Sequence, residues 1–155
     1  MALVKGTNSF ATVEEFDAYC ADRVDMATDA SAENKAQALV SATDMLNELR
    51  WTGVAISETQ LLAFPRVGTY FDPRVGRPMK MDPTPMRIQT ACMELAYHLL
   101  VNDSLKDSTG SVENIEIGPI KLVDVKSAPL IPLYIKQIFR PILVNQGASS
   151  WWRAN

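Results

Sequence analysis

One stretch of the chain, Thr84 to Asp103, has the clearest helical period in the sequence. Its apolar residues recur at intervals of three and four positions: Ile88, Ala91, Cys92, Leu95, Ala96, Leu99 and Leu100. A helix with this spacing buries one face. Thr84 can cap the helix, and Pro85 suits its first position because its missing N–H would have no partner there. We therefore predict a central helix over residues 85–101, against which the rest of the chain packs.

Two shorter helices are predicted ahead of the central helix. Thr12-Val13-Glu14-Glu15 is a capping-box pattern, in which the threonine hydroxyl and the second glutamate each satisfy a backbone N–H. The helix that it opens runs to about Arg23. Ser31 can cap a second helix over residues 32–50. Residues 1–11 are interpreted as an extended N-terminal arm.

A short helix and a long loop are predicted between the second helix and the central helix. Ser57-Glu58-Thr59-Gln60 repeats the capping-box pattern, and Pro65 ends the short helix. Residues 68–83 are predicted to form a long loop, with Gly68, Pro73, Gly76 and Pro78 in it. A loop of this length is usually functional or disordered in a small domain. It offers aromatic rings at Tyr70 and Phe71 for stacking and positive side chains for phosphate contact. The positive residues in or just before it are Arg66, Arg74, Arg77 and Lys80.

A two-residue period marks residues 113–125 as β structure. Two strands joined at Gly118-Pro119 are expected, because apolar and polar residues alternate on both sides of this dipeptide. A lone hairpin would leave exposed edges, so we expect it to pair with its own domain or with a neighbouring subunit. The apolar positions are Ile115, Ile117, Ile120 and Leu122.

The C-terminal part of the chain is predicted to contain a short last helix and an arm. The helix covers residues 133–144 and is distorted at Pro141. A small-residue spacer follows, and the sequence then ends on Trp151, Trp152, Arg153 and two further residues. Tryptophan and arginine often carry the binding energy of interfaces, so residues 145–155 are predicted to be an interface arm.

The predicted fold class is mainly α. At 155 residues the chain suits one domain, which we expect to be a small helical bundle of about four helices with one β-hairpin and extended terminal arms. The domain covers residues 1–144. Cys20 and Cys92 lie on apolar helical faces and are interpreted as reduced, buried thiols, with a disulfide as the alternative. The apolar runs are shorter than the ~20 residues of a membrane span, so no membrane association is expected.

Charge is unevenly distributed along the chain. The region from Thr12 to Asn34 holds seven acidic residues and one base, whereas residues 125–155 hold four bases and no acidic side chain. Opposite charge at the two ends of a monomer favours head-to-tail association, or an acidic partner for the C-terminal third. An ordinary solvated surface is the alternative for the acidic run.

Recognisable catalytic and cofactor motifs are missing from the sequence. It holds a single histidine, His98, which excludes a histidine-rich metal site, and it has no phosphate-binding glycine loop and no paired cysteine motif. Its carboxylates lack the apolar setting that would tune a pKa for catalysis. We therefore expect no catalytic residues, no metal and no cofactor, and we do not expect an enzyme.

Several segments in order resemble one known family. They are NSFATVEEFDAYCADR, ATDMLNELRWTG, LLAFPRVG, QTACMELAYHLL and IGPIKL, followed by a short helix that contains a proline. Their order and spacing are similar to those of the head–tail connector proteins of tailed bacteriophages, also called adaptor or head-completion proteins. The resemblance covers residues 8–144. Sequences of this type are often labelled DnaT-like single-stranded-DNA-binding proteins as well.

The resemblance implies a structural role in the virion. A mainly helical subunit would form a ring of twelve copies beneath the portal protein, extend the DNA channel and offer a platform to the tail or tail-tube protein. Genomic DNA would pass through the lumen without sequence-specific binding, and the protein would be found at the head–tail interface after assembly in the host cytoplasm. The terminal arm would dock into the portal, the hairpin would line the channel or join subunits, and the basic loop would contact the tail or DNA. A single-stranded-DNA-binding replication accessory protein is the alternative.

Overall fold

The computed structural model describes residues 2–26, 28–101, 116–117, 120–121 and 131–144. These residues contain four α-helices and three two-stranded antiparallel ladders. The helices are α1 (Val13–Ala21), α2 (Ala32–Asn47), α3 (Met86–Val101) and α4 (Leu133–Phe139), and a 3-10 turn at Arg140–Ile142 follows α4. The strands are β1 (Val54–Ala55), β2 (Arg66–Val67), β3 (Thr69–Asp72), β4 (Arg77–Lys80), β5 (Glu116–Ile117) and β6 (Ile120–Lys121). The fold is a small mixed α/β fold that is mostly helical. The predicted helical character is confirmed, but the single predicted hairpin understates the β structure.

Helix α3 lies at the centre, with α2 and α4 packed against it. Its predicted apolar stripe is the core: Ile88, Ala91, Cys92, Leu95 and Ala96 are fully buried, and Leu99 and Leu100 are partly buried against them. The helix begins at Met86, one residue after the predicted start. The periodicity of this stretch therefore predicted both the element and its buried face. Within the described part of the chain, no helix has the length and apolar character needed to cross a bilayer.

The predicted capping of the first two helices is confirmed. The Glu15 N–H donates to Thr12 Oγ1 at 3.2 Å, and the Thr12 N–H donates to Glu15 Oε2 at 2.9 Å. The Ser31 hydroxyl oxygen accepts the Asn34 N–H at 3.2 Å at the start of α2. Both helices end two or three residues before their predicted ends. The starts were easier to predict because each is fixed by its own side-chain hydrogen bonds.

The N-terminal segment is not the extended arm that we predicted. Its backbone turns back on itself, with an isolated bridge between Lys5 and Ser9 and a 2.8 Å hydrogen bond from the Gly6 N–H to the Ser9 carbonyl. Phe10 and Ala11 are buried in the core. Burial of this phenylalanine removes a large apolar area from water, which favours the docked segment over a free one.

Trp51 joins the end of α2 to the C-terminal helix. Its ring meets Phe64 and Phe139 edge-to-face at centroid distances of 5.1 Å and 5.3 Å, and its indole N–H donates to the Leu46 carbonyl at 2.9 Å. Its backbone forms an antiparallel bridge with Leu143. A buried tryptophan with a satisfied N–H fixes both its own position and that of its neighbours.

The predicted short helix after Ser57 is wrong. The capping residues form a local turn instead, in which the Gln60 side-chain carbonyl accepts the N–H groups of Ile56 and Ser57 at 2.9 Å and 3.2 Å. The Gln60 amide nitrogen then donates to the carbonyls of Leu62 and Pro65. These side-chain bonds compete with the backbone bonds that a helix would need.

Gly53 follows α2 and adopts a left-handed conformation, with φ of +72°. A Cβ atom there would come within 2.3 Å of the Val67 carbonyl oxygen. The close approach arises because β1 pairs with β2, in the register Val54 to Val67 and Ala55 to Arg66. Glycine is therefore required both by the backbone angle and by the space available.

The predicted hairpin at 113–125 and the predicted last helix are both confirmed in the residues that the structure describes. β5 and β6 pair antiparallel on either side of residues 118–119, in the register Glu116 to Lys121 and Ile117 to Ile120. The last helix stops at Phe139, and Pro141 lies in the 3-10 turn that follows, so the predicted distortion is present. Ile115 and Leu122 lie outside the described residues, as does the predicted arm at 145–155 with Trp151, Trp152 and Arg153.

Candidate nucleic-acid interface

The region predicted as a long loop, residues 68–83, is in fact built around the β3–β4 hairpin. The strands pair in the register Thr69 to Lys80, Tyr70 to Met79, Phe71 to Pro78 and Asp72 to Arg77. At the tip, the Asp72 carbonyl accepts the Val75 and Gly76 N–H groups at 3.1 Å and 2.8 Å. The glycines and prolines that indicated a loop lie at the turn and the hairpin ends, or on the strand edge.

The two faces of this hairpin differ sharply in exposure. One face carries Tyr70 and Asp72, which are 7% and 1% exposed. The opposite face carries Phe71, which is 57% exposed, together with the exposed residues Thr69, Pro78 and Lys80. Of the two rings that the sequence offered for stacking, Phe71 is therefore available, whereas Tyr70 is packed into the core. Cross-strand pairing places Lys80 diagonally next to Phe71 on the exposed face.

Asp72 anchors the hairpin from its buried face. Its carboxylate accepts hydrogen bonds from the Arg74 backbone N–H at 2.9 Å, from Arg74 Nη2 at 2.9 Å and from Arg87 Nη2 at 2.9 Å. The guanidinium groups of Arg74 and Arg87 hold the pKa of Asp72 well below its usual range. An ionised carboxylate is thus fully paired in a site that water scarcely reaches.

Arg87 extends this anchor to the helices. It lies on α3, and its Nη1 donates to the Ile138 carbonyl of α4 at 2.8 Å while its other nitrogens bind Asp72. One side chain therefore joins β3, α3 and α4. No local sequence pattern marks this contact, because 15 residues separate Asp72 from Arg87 and 51 separate Arg87 from Ile138. Neither Asp72 nor Arg87 was predicted from the sequence to form this anchor.

Arg66, the first of the predicted contact residues, has a structural role. Its guanidinium donates to three backbone carbonyls, those of Thr52 at 2.9 Å, Gly53 at 2.7 Å and Ala63 at 3.1 Å. Partial burial lowers its pKa. These bonds hold the turn between α2 and β2 in place and use three of the five N–H groups of the guanidinium.

The other three predicted bases remain accessible at the hairpin. Arg77 and Lys80 are exposed, and the Arg74 side chain is 64% exposed despite its contact with Asp72. Residues 69–80 hold three bases and one acidic residue, Asp72, so the hairpin keeps a net positive charge. We call the set of Phe71, Arg74, Arg77 and Lys80 the hairpin surface. Lys80 shares the face of Phe71, whereas Arg77 is paired with Asp72 on the other face and Arg74 lies in the turn. The ring can stack on a base while the cations contact phosphates around the hairpin tip.

The remaining polar groups near the core serve packing. The Tyr19 hydroxyl donates to Glu94 Oε1 at 2.6 Å, Arg23 lies over the Tyr19 ring, and burial together with Glu94 raises the pKa of this tyrosine. Burial lowers the pKa of His98. Within the described ranges, no group of three or more histidine, cysteine or acidic side chains is placed to hold a metal ion.

The chain matches a known protein family. The sequence profile of the family described as "Putative DnaT-like ssDNA binding protein" matches residues 2–153, nearly the whole chain. No curated protein and no solved structure shows significant similarity to the chain. Because the match covers both the helical core and the hairpin surface, the chain belongs to this DnaT-like family.

Proposed function

We propose that the protein binds single-stranded DNA through the hairpin surface. The observation that carries the proposal is the exposure of Phe71 on an ordered strand, with Lys80 beside it and Arg74 and Arg77 at the hairpin tip. Aromatic rings stack on any base, and the cations follow the sugar–phosphate backbone. Binding of this kind is tolerant of sequence. The family description supports the proposal.

The anchor at Asp72 gives the hairpin surface its rigidity. Arg87 and the Ile138 carbonyl fix the buried face of β3 to two helices, so Phe71 is held outward on a rigid strand. A ring that is already ordered loses little conformational entropy when a base stacks on it. The whole chain has a net charge of −3, so attraction to DNA depends on this local positive surface.

A charge-reversal experiment tests the location of the site. A fluorescently labelled oligothymidine is titrated with the wild-type protein, with Lys80→Glu and with Lys136→Glu, an equal charge change on α4. Three phosphate contacts predict a slope of about −2 in log K against log salt concentration, reduced in magnitude by about 0.7 in Lys80→Glu. Equal losses in the two variants, or no binding by wild-type protein at low salt, would reject the hairpin surface.

A second proposal is the phage head–tail connector. Its support is the charge pattern: exposed acids on and just after α1, such as Glu14 and Asp22, contrast with exposed bases on and just after α4, such as Lys136 and Arg140. Surfaces of opposite charge on one subunit favour heterologous contacts, which close into a ring when the rotation permits. The partners would be neighbouring copies, the portal protein and a tail protein, with DNA in the lumen.

Three measurements separate the proposals. Light scattering with and without the portal protein shows a ring for a connector and a small species for a replication accessory protein. Truncation after Gln146 removes Trp151, Trp152 and Arg153, and for a connector it abolishes co-sedimentation with portal particles without changing the melting temperature.

Sub-micromolar DNA binding that is lost on substitution of Arg74 and Arg77 supports the accessory role, whereas weak binding without preference supports a channel wall.

A further inference from the structure

A groove separate from the hairpin surface lies between the end of α2 and the C-terminal helix. It has a volume of about 570 Å³. Two backbone hydrogen bonds join the segment after α2 to the segment after α4 at this groove. The Thr52 N–H donates to the Ile142 carbonyl at 3.0 Å, and the Val144 N–H donates to the Arg50 carbonyl at 3.1 Å. These bonds join two segments that are distant in sequence, so the groove is a product of the fold.

The walls of the groove combine positive and aliphatic side chains. Arg50, Lys136 and Arg140 supply three positive charges, and no carboxylate lines the groove among the residues that the structure describes. The aliphatic residues are Leu49, Leu133, Leu143 and Val144. Among these residues, Leu133 is 68% exposed, more than a leucine would be if the fold itself covered it.

Helix α4 and the following turn present this surface in a regular way. Leu133, Lys136, Gln137 and Arg140 lie at i, i+3, i+4 and i+7, which places them along one face of the helix. The opposite face buries Ile135 and Phe139 in the core. The outer face is thus apolar at Leu133 and positive at Lys136 and Arg140.

We propose that this groove binds an acidic, leucine-rich segment of a partner protein. Charge complementarity calls for carboxylates opposite Arg50, Lys136 and Arg140, and the four aliphatic residues call for aliphatic side chains between those carboxylates. The contrast with the hairpin surface decides against DNA as the occupant. Phe71 gives that surface a ring for stacking, whereas the described lining of the groove has branched aliphatic chains and no ring. The inference does not depend on DNA binding by the hairpin surface.

The probe for this site is a synthetic fluorescent peptide with leucine at helical spacing and glutamate at the remaining positions. Its anisotropy is measured during titration with the full-length protein at near-physiological salt. We expect binding that weakens about tenfold or more in Arg140→Glu and in Leu133→Ser, because a like charge or a polar group then faces the peptide. Lys80→Glu makes the same charge change on the hairpin surface and retains wild-type peptide affinity. All three positions are exposed, and melting temperatures verify that the variants are folded.

Peptide variants separate charge from apolar contact. Replacement of leucine by serine weakens binding if the aliphatic wall takes part, and replacement of glutamate by lysine abolishes it. No binding of the first peptide, or equal binding by wild-type protein and both groove variants, would overturn the proposal. Loss of oligothymidine binding in Arg140→Glu would assign the groove to DNA, and loss of self-association in that variant would assign it to a second copy. Either result would overturn the acidic partner.

Discussion

Asp72 Oδ1 and Arg87 Nη2 lie 2.9 Å apart, which joins strand β3 to helix α3 through a buried ion pair. The carboxylate is 1% exposed and the arginine side chain 12%. The same guanidinium binds the Ile138 carbonyl of α4. This pair therefore helps to fix the position of the hairpin surface relative to the helices, together with the buried Tyr70 ring.

Removal of the arginine is expected to destabilise the fold and loosen the hairpin. In Arg87→Ala the buried carboxylate keeps Arg74 as its partner but loses Arg87, and a buried charge left partly unpaired is unfavourable. The melting temperature should fall by several degrees, with a smaller fall in Arg87→Lys, which keeps the charge but not the fork of donors. Thermal unfolding followed by circular dichroism measures both. A melting temperature equal to that of wild type in Arg87→Ala would show that the pair does not anchor the hairpin.

Acid should weaken the fold through the same carboxylate. The pKa of Asp72 is lowered in the folded protein, and in the unfolded chain it is about 3.9. The stabilisation is fully present above the unfolded value and is lost as the pH falls through it toward the folded value. Urea unfolding at a series of pH values from neutral to about 3 should show this loss in wild type. Asp72→Asn should have a flatter profile, and identical profiles would contradict the assignment.

The core of α3 gives a stability prediction with a quantitative range. Leu95 is fully buried in the middle of the apolar stripe, so Leu95→Ala should lower the free energy of unfolding by roughly 2–5 kcal/mol. Leu61→Ala, at a leucine that is 71% exposed, is the matched control and should change it by no more than about 0.5 kcal/mol. Chemical denaturation measures both values. Similar small losses in the two variants would mean that Leu95 is not a core residue.

The two cysteines should be inert in the folded protein. Burial raises the pKa of Cys92 to about 11, and burial also raises the pKa of Cys20. The unfolded value is about 8.5, so their stabilisation is present below that pH and is lost as the pH rises toward the folded values. Neither thiol should react with a disulfide reagent at pH 8 until denaturant is added. Rapid reaction of both thiols in native buffer would contradict their burial.

Local patterns predicted the helices, and long-range contacts decided the rest. The Thr12 capping box and the stripe on α3 each lie within one element, so their signals could be read from consecutive residues. The β3–β4 hairpin was predicted as a loop because Gly68, Pro73, Gly76 and Pro78 are typical of loops. The burial of Asp72 depends on both Arg74 and Arg87, and no local pattern marks Arg87 as a partner.

The candidate site was predicted in part for the same reason. Exposed bases and a ring within residues 66–80 could be listed from the sequence, but their availability could not. Arg66 turned out to bind three backbone carbonyls, and Tyr70 turned out to be buried, because both depend on segments elsewhere in the chain. Arg50, Lys136 and Arg140 line one groove because the segment after α2 pairs with the segment after α4. This pairing is not visible in the sequence.

If Phe71 stacks on single-stranded DNA, its removal should weaken binding, whereas removal of an exposed ring elsewhere should not. Tyr134 is 51% exposed on α4, outside the hairpin surface, and serves as the control for the 57% exposed Phe71. Equilibrium titration of labelled oligothymidine at fixed salt should show a loss of about 1–3 kcal/mol in binding free energy for Phe71→Ala, the value of one stacked base, and no loss for Tyr134→Ala. Wild-type affinity in Phe71→Ala, or equal losses in both variants, would contradict the account.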